Sequence, residues 1–323
     1  MMCGKEILQN MKMFQKSSWY LLEIVTLLFI TIILLVGISH YKNGGFLKTA
    51  STPSVLLDYP KQISKLSFDT SNIESVLAIY FDNNLEKILF EKNIDKELPI
   101  ASITKLMTAI IALELQETRG QTLVFGTDAL VWKGSSNRFK IGDTISFFDA
   151  LNTMLVESNN DIARAFAFMS SYERFVKSMN DKAEEIGMTK TFYSNPSGLD
   201  PDLNTIKQNS SSAGDLYLLA KYIIKKYPEI LKITGQSKYP VYFANNDVRF
   251  IASTTNELLG EDFSPLTILG GKTGQTPKSS KNLIIITKAP SGGYVVFVVL
   301  GAKDHFASMK DLIREAVSAY KWN

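Results

Sequence analysis

The sequence predicts an α/β (α+β) domain: an antiparallel sheet contributed by both chain ends, flanked by helices and interrupted by a helical insertion, behind a single N-terminal transmembrane helix. Three observations predict it. Apolar, β-rich runs gather near 75–90 and return over 266–300. Between them the apolar spacing is mainly helical. One unbroken apolar run, 19–39, precedes both.

That run reads WYLLEIVTLLFITIILLVGIS and carries a single charge, Glu23. About 20 apolar residues are enough to span a bilayer. Trp19, Tyr20 and Tyr41 suit the two interfaces. Lys5, Lys12 and Lys16 precede the run, offset by Glu6, and Lys42 and Lys48 follow it, so the charge bias across it is slight. The alternative is a cleaved signal peptide, with Gly37-Ile38-Ser39 as a small-x-small site. Signal-peptide cores are shorter, about 7–15 residues, so the length favours a retained anchor. Residues 1–18 are then a short cytoplasmic segment, and the rest of the chain lies outside the cell membrane, on the periplasmic or cell-wall side. Cys3 precedes the run and is not a lipoprotein cysteine. Residues 40–72, polar and punctuated by Gly44-Gly45, Pro53 and Pro60, are expected to be a linker. The folded domain is expected over 73–323.

Within that domain, 75–81 (SVLAIYF) reads as a buried strand, 82–84 as a turn and 86–90 as the returning strand of a hairpin. Pro99 precedes a helix over about 102–117, with Leu106, Ile110 and Leu113 at helical spacing. Helices are expected over 147–156, 161–169, 172–186 and 213–226, in a stretch 119–250 that is mixed but mainly helical. Gly187, Pro196-Ser197-Gly198 and Pro201 interrupt them. Strands return at 266–269, 282–288 and 294–300, the last two joined by a turn at 289–293. A helix over about 305–320 closes the chain.

Composition removes several function classes. With 45% apolar and 21% charged residues, the chain is neither disordered nor fibrous. A net charge of +3, dispersed along 323 residues, points to no nucleic acid. One cysteine, Cys3, makes no intrachain disulfide, and with only His40 and His305 it makes a poor zinc ligand set. No metal and no cofactor are expected, and catalysis must run on Ser, Lys, Asp, Glu or Tyr.

Three short motifs could carry such chemistry. Ser102-Ile103-Thr104-Lys105 places a hydroxyl and an amine at i and i+3, on one face of a helix start. A neutral lysine there can take the serine proton. The same spacing recurs at Ser39…Lys42 and Ser318…Lys321, so alone it is weak. Ser158-Asn159-Asn160 can aim a hydroxyl and an amide into one cleft, but serves equally as a helix cap. Lys272-Thr273-Gly274, preceded by Gly270-Gly271 and followed by Gln275, lies on the strand from Leu266 and suits a carboxylate; the alternative is a strand-edge turn with a solvated lysine.

In this order the three motifs resemble those of the serine penicillin-recognising proteins with a β-lactamase/transpeptidase-like fold. The run Pro99 to Ala109 is similar to the nucleophile helix of the D-alanyl-D-alanine carboxypeptidases. Gly134-Ser135-Ser136, Phe192 to Leu199, Ser212 to Leu216, Thr255 to Leu259 and Gly271 to Thr276 resemble further segments of that family. The resemblance covers about 73–323. It implies that Ser102 is acylated, with Lys105 as its base, and that Ser158 relays a proton to the leaving D-alanine. It implies that Asn160 holds the substrate amide and that Lys272 and Thr273 take the terminal carboxylate. The backbone amides of Ser102 and Gln275 would form the oxyanion hole, and Gly274 and Gln275 are expected to line the substrate-binding site with Lys272 and Thr273. The implied substrate is a peptidoglycan stem peptide ending in D-Ala-D-Ala, with β-lactams as covalent inhibitors.

Some features depart from the family. Its β-rich C-terminal domain and C-terminal anchor have no counterpart up to Asn323, so the N-terminal helix is expected to take over anchoring. Position 275 is Gln where an aromatic or His is common, and 278–282 (KSSKN) is unusually polar. A DD-endopeptidase cutting cross-links is the close rival. A class A β-lactamase fits less well, since Glu184 and Glu185 sit in an expected helix with no matching loop. A non-catalytic β-lactam sensor or wall-binding module is the rival of another kind; a stub of about 18 residues is too short to fold as its signalling partner.

Overall fold

The computed structural model describes residues 60–322 except 120–121, 131–134, 137, 202–206 and 243–247, together with Thr31. The expected cytoplasmic segment 1–18, the anchor 19–39 and the linker up to 59 lie outside the described residues, Thr31 apart. Among the described residues no helix is long and apolar enough to cross a membrane. The fold below is that of the unit Asp58–Asn323.

The chain runs through β1 (Ser75–Phe81) and β2 (Glu86–Lys92), then α1 (Lys105–Arg119), α2 (Phe147–Val156), α3 (Asn160–Ala167), α4 (Tyr172–Ile186), α5 (Ala213–Lys226) and α6 (Pro228–Thr234). It continues through β3 (Lys238–Tyr242), β4 (Val248–Ser253), β5 (Thr267–Thr276), β6 (Ser280–Lys288) and β7 (Tyr294–Ala302), and closes with α7 (His305–Ala319). Five strands form one sheet in the order β5-β6-β7-β1-β2, every pair antiparallel. The sheet built from both chain ends is therefore real: β1 lies beside β7, with Ala78 opposite Phe297.

The side-chain period of two explains why β1 is apolar from Val76 to Phe81. Leu77, Ile79 and Phe81 join Val296, Val298 and Leu300 in the core shared with the helical insertion. Val76, Ala78 and Tyr80 join Val295, Phe297 and Val299 against Met309, Leu312 and Ile313 of α7. Every residue of β1 is buried on one face or the other.

Helix starts follow local chemistry. Ser146, Ser171 and Ser212 cap α2, α4 and α5 by accepting from the backbone amides of Asp149, Arg174 and Asp215. Such caps are worth about 1 kcal/mol each. Gly187 ends α4 at φ 89°, where a side chain would be strained.

Three expectations need correction. Residues 60–72 do not behave as linker: Lys61–Gln62 pair with Tyr320–Lys321, Leu66 is buried, and Lys92 Nζ donates to the Thr70 and Ile73 carbonyls at 2.8 and 2.6 Å. The cause is apolar coverage of the α7 side by isolated residues that carry no period. The mainly helical middle contains a β-hairpin, β3–β4. It is held by partners distant in sequence: the Tyr239 hydroxyl donates to Asp149 at 2.6 Å, Arg249 pairs with Asp143 and Phe250 packs edge-on to Phe139. Finally, the helix expected from 102 opens with a 3-10 turn, Ala101–Thr104, and becomes α-helical at Lys105.

Candidate active site

Three parts of the fold converge. The 3-10 turn carries Ser102, the loop between α2 and α3 carries Ser158, the first residue of α3 is Asn160, and the edge strand β5 carries Lys272, Thr273 and Gly274. Lys105 Nζ lies 2.8 Å from Ser102 Oγ. It donates to Asn160 Oδ1 at 2.8 Å and to the Ser197 carbonyl at 2.7 Å. Lys272 Nζ donates to Ser158 Oγ at 2.9 Å and to its neighbour's carbonyl, Thr273 O, at 3.3 Å. The Thr273 hydroxyl meets the Thr255 hydroxyl at 2.6 Å. Gln275 is exposed on the same strand.

Close approach depends on two glycines. A Cβ on Gly274 would stand 2.4 Å from the Ile100 carbonyl oxygen, and one on Gly198 would stand 1.9 Å from the Ala101 carbonyl oxygen. The nucleophile turn is thus clasped between β5 and the 195–198 loop at distances no side chain permits. Gly198 also has φ +81°. Two non-glycine residues flanking the cleft hold left-handed backbone, Ala101 at φ 48° and Ser158 at φ 63°. Each such conformation costs about 1–3 kcal/mol and persists only where surroundings impose it. Around Ser158 they do: Asn159 Nδ2 donates to Glu157 at 2.9 Å, Arg138 pairs with Glu157 at 3.2 Å, and Ser136 donates from its amide and hydroxyl to Asp161 at 2.8 and 2.5 Å.

The electrostatics follow from burial. Lys105 is wholly buried and Lys272 is 1% exposed. Among the described residues neither forms an ion pair with a carboxylate. Burial, joined by the positive charge of Lys272, holds Lys105 well below the ordinary lysine range. Burial alone pushes Lys272 down to about 7. A neutral Lys105 has two hydrogens and one lone pair. Two of its three neighbours, the Asn160 and Ser197 oxygens, can only accept, so they take the hydrogens. The lone pair is left facing Ser102 Oγ. That is the geometry of a general base beside its nucleophile.

A family profile described as D-alanyl-D-alanine carboxypeptidase (peptidase S11) matches residues 64–304. The chain belongs to the D-alanyl-D-alanine carboxypeptidase family. One member, a D-alanyl-D-alanine carboxypeptidase of Bacillus subtilis, is 31% identical over 273 residues, covering 81% of this chain and 67% of that one. Another, a D-alanyl-D-alanine endopeptidase of Escherichia coli, is 30% identical and covers 78% of this chain and 82% of its own. The ampicillin-bound penicillin-binding protein D2 of Listeria monocytogenes superposes with a TM-score of 0.64 at 29% identity, over 76% of this chain and 97% of that one. The mixed fold with its antiparallel sheet is the fold of this carboxypeptidase family.

All the expected site residues except Gln275 have a described partner or packing role in the cleft. What the motifs do not announce is the Ser197 carbonyl, because a backbone acceptor has no residue type of its own. The only local signal for it is the turn-forming run Asn195-Pro196-Ser197-Gly198. The glutamates weighed for a β-lactamase role stand elsewhere: Glu184 and Glu185 are exposed on α4, and Glu185 pairs with Lys182 at 2.6 Å.

Proposed function

We propose that this chain is a membrane-anchored, serine-type D-Ala-D-Ala carboxypeptidase that removes the terminal D-alanine from peptidoglycan stem peptides. The observation that carries it is the buried Lys105 amine 2.8 Å from Ser102 Oγ, with its hydrogens committed to two carbonyl oxygens.

In this mechanism Lys105 takes the Ser102 proton as Oγ attacks the penultimate D-alanine carbonyl. The backbone amides of Ser102 and Gln275 receive the oxyanion; one such donor is worth about 3–4 kcal/mol. Ser158, held by Lys272, passes a proton to the amine of the departing D-alanine. Asn160 holds the substrate amide, and Lys272 and Thr273 take its terminal carboxylate. Water then hydrolyses the Ser102 ester. β-Lactams acylate the same hydroxyl, in keeping with a relative solved in an ampicillin-bound form. The chemistry is complete without a metal or cofactor.

Release of D-alanine from a stem pentapeptide is the expected activity, measured by chromatography of the products. A protein that binds the peptide and releases nothing is a binding module, and the proposal fails. Kinship with an Escherichia coli protein named as an endopeptidase favours a second activity, cutting of D-alanyl cross-links. Digestion of purified cross-linked muropeptides separates the two: monomers appear only if that activity is present.

The apolar run 19–39 supports retention of the chain in the cell membrane with its catalytic domain outside. Carbonate extraction is expected to leave the full-length chain in the membrane pellet. A soluble form beginning near His40 would show cleavage instead.

A further inference from the structure

Three consecutive carbonyls of the 195–198 loop each accept from a different side chain. Asn209 Nδ2 donates to Asn195 O at 2.8 Å, the Thr108 hydroxyl to Pro196 O at 2.6 Å, and Lys105 Nζ to Ser197 O at 2.7 Å. Asn209 also reaches the nucleophile turn. Its Nδ2 donates to Thr104 Oγ1 at 2.9 Å, and its backbone carbonyl accepts from the Ile100 amide at 3.3 Å. Its Oδ1 accepts from the Ser194 and Asn195 amides at 2.8 and 3.2 Å and from the Ser194 hydroxyl at 3.0 Å. The side chain is 2% exposed.

From this we propose that Asn209 is a positioning residue: it locks the loop bearing the Ser197 carbonyl to the turn bearing Ser102, and so aims the Lys105 lone pair. This rests on the reading of Lys105 as the base for Ser102. A buried amide with every hydrogen-bonding site filled between two backbone segments fixes their spacing. Thr104 is one residue before Lys105 in the chain, so the link spans the same gap the proton must be aimed across. If the loop shifted, Ser197 O would release a Lys105 hydrogen, and the lone pair would no longer be confined to Ser102. The residue touches no reacting atom. It belongs to no motif, because it lies 105 positions from its partner Thr104.

The test is the time course of Ser102 acylation by benzylpenicillin, followed by intact mass over a range of drug concentrations. Asn209→Ala is expected to lower the limiting acylation rate by roughly 100-fold, the scale set by small misplacements near reacting groups, while the half-saturating concentration stays within about twofold. Asn209→Asp keeps the acceptor towards the 194 and 195 amides and is expected to recover part of that loss. Thr104→Val cuts the same link from the turn side and leaves Asn209 in place. It is expected to lower the limiting rate several-fold, and it decides the matter if Asn209→Ala does not fold. Combined, the two substitutions should cost less than the product of their separate effects. An unchanged limiting rate in Thr104→Val, or a loss in Asn209→Ala that tracks only the unfolded fraction, overturns the inference. A wild-type protein that is never labelled at Ser102 overturns the reading of the site itself, and this inference with it.

Discussion

Ser102→Ala abolishes the covalent β-lactam adduct, and Lys105→Ala slows its formation by about 10²–10⁴-fold, the usual range for losing general-base help. Of the hydroxyls on these motifs, only Ser102 Oγ stands beside the Lys105 amine; Ser158 Oγ instead accepts from Lys272. The double variant is expected to be little worse than Ser102→Ala, because a base without its nucleophile has nothing to activate. Lys105→Arg is expected to fail like the alanine variant, since a guanidinium stays protonated. Intact mass after exposure to benzylpenicillin, with peptide mapping of the labelled serine, reads all four. An adduct on Ser158, or undiminished labelling of Ser102→Ala, removes the mechanism.

Lys272→Met is expected to trade activity for stability. On a peptide with a free terminal carboxylate, kcat/KM falls roughly 10–100-fold, matching the about 1.5–3 kcal/mol of a hydrogen bond to a charged group; on the C-terminal amide of the same peptide the fall is smaller. The stability change has a definite sign with pH. Burial lowers the folded Lys272 pKa from 10.5 to about 7, so between those values the unfolded chain holds a proton that the folded chain has lost. Stability therefore rises with pH through that window. The penalty for burying the ammonium is fully present below about pH 7 and fades towards pH 10.5. Methionine carries no such penalty, so the substitution is expected to stabilise the folded chain. The gain of Lys272→Met over wild type should be largest below pH 7 and shrink in alkali. Thermal unfolding across pH 5–10 checks it; a gap independent of pH, or a variant less stable in acid, contradicts it. The same titration sets the alkaline limb of wild-type kcat/KM, since the free enzyme loses its carboxylate-binding charge above about pH 7.

Much of this was legible from residue pattern alone. Strand β1, apolar at every position after Ser75, and the serine-capped helices α2, α4 and α5 announce themselves because their causes are local: burial on both faces, a hydroxyl at the cap, a glycine at the end of α4. The β3–β4 hairpin does not. Its strands are half-exposed, one contains Pro240, and they are held in place by Phe139, Asp143 and Asp149, about a hundred positions earlier. Pairings as short as Leu98–Pro99 with Ser210–Ser211 carry no period at all. The site divides the same way. Ser102, Lys105, Ser158, Asn160 and Lys272 stand out by type and order. The Ser197 carbonyl, Thr255 opposite Thr273 and the amide of Asn209 act through contacts that only the closed fold creates.

The sheet that joins both chain ends bears on how the protein is born. Hairpin β1–β2 is synthesised early, yet β1 needs β7 alongside it, residue 81 against residue 294. Until then β1 has an unpaired edge and two apolar faces, the kind of surface that sticks to other nascent chains. Pairings this distant close slowly, so the hairpin stays open to such contacts until β7 is made. The nucleophile matures on the same clock. Ser102 and Lys105 are made together, on the 3-10 turn and the start of α1, but Lys272, whose charge helps lower the Lys105 pKa, arrives only with β5. The environment that tunes the reactive pair is therefore complete only when both ends of the sheet have been made.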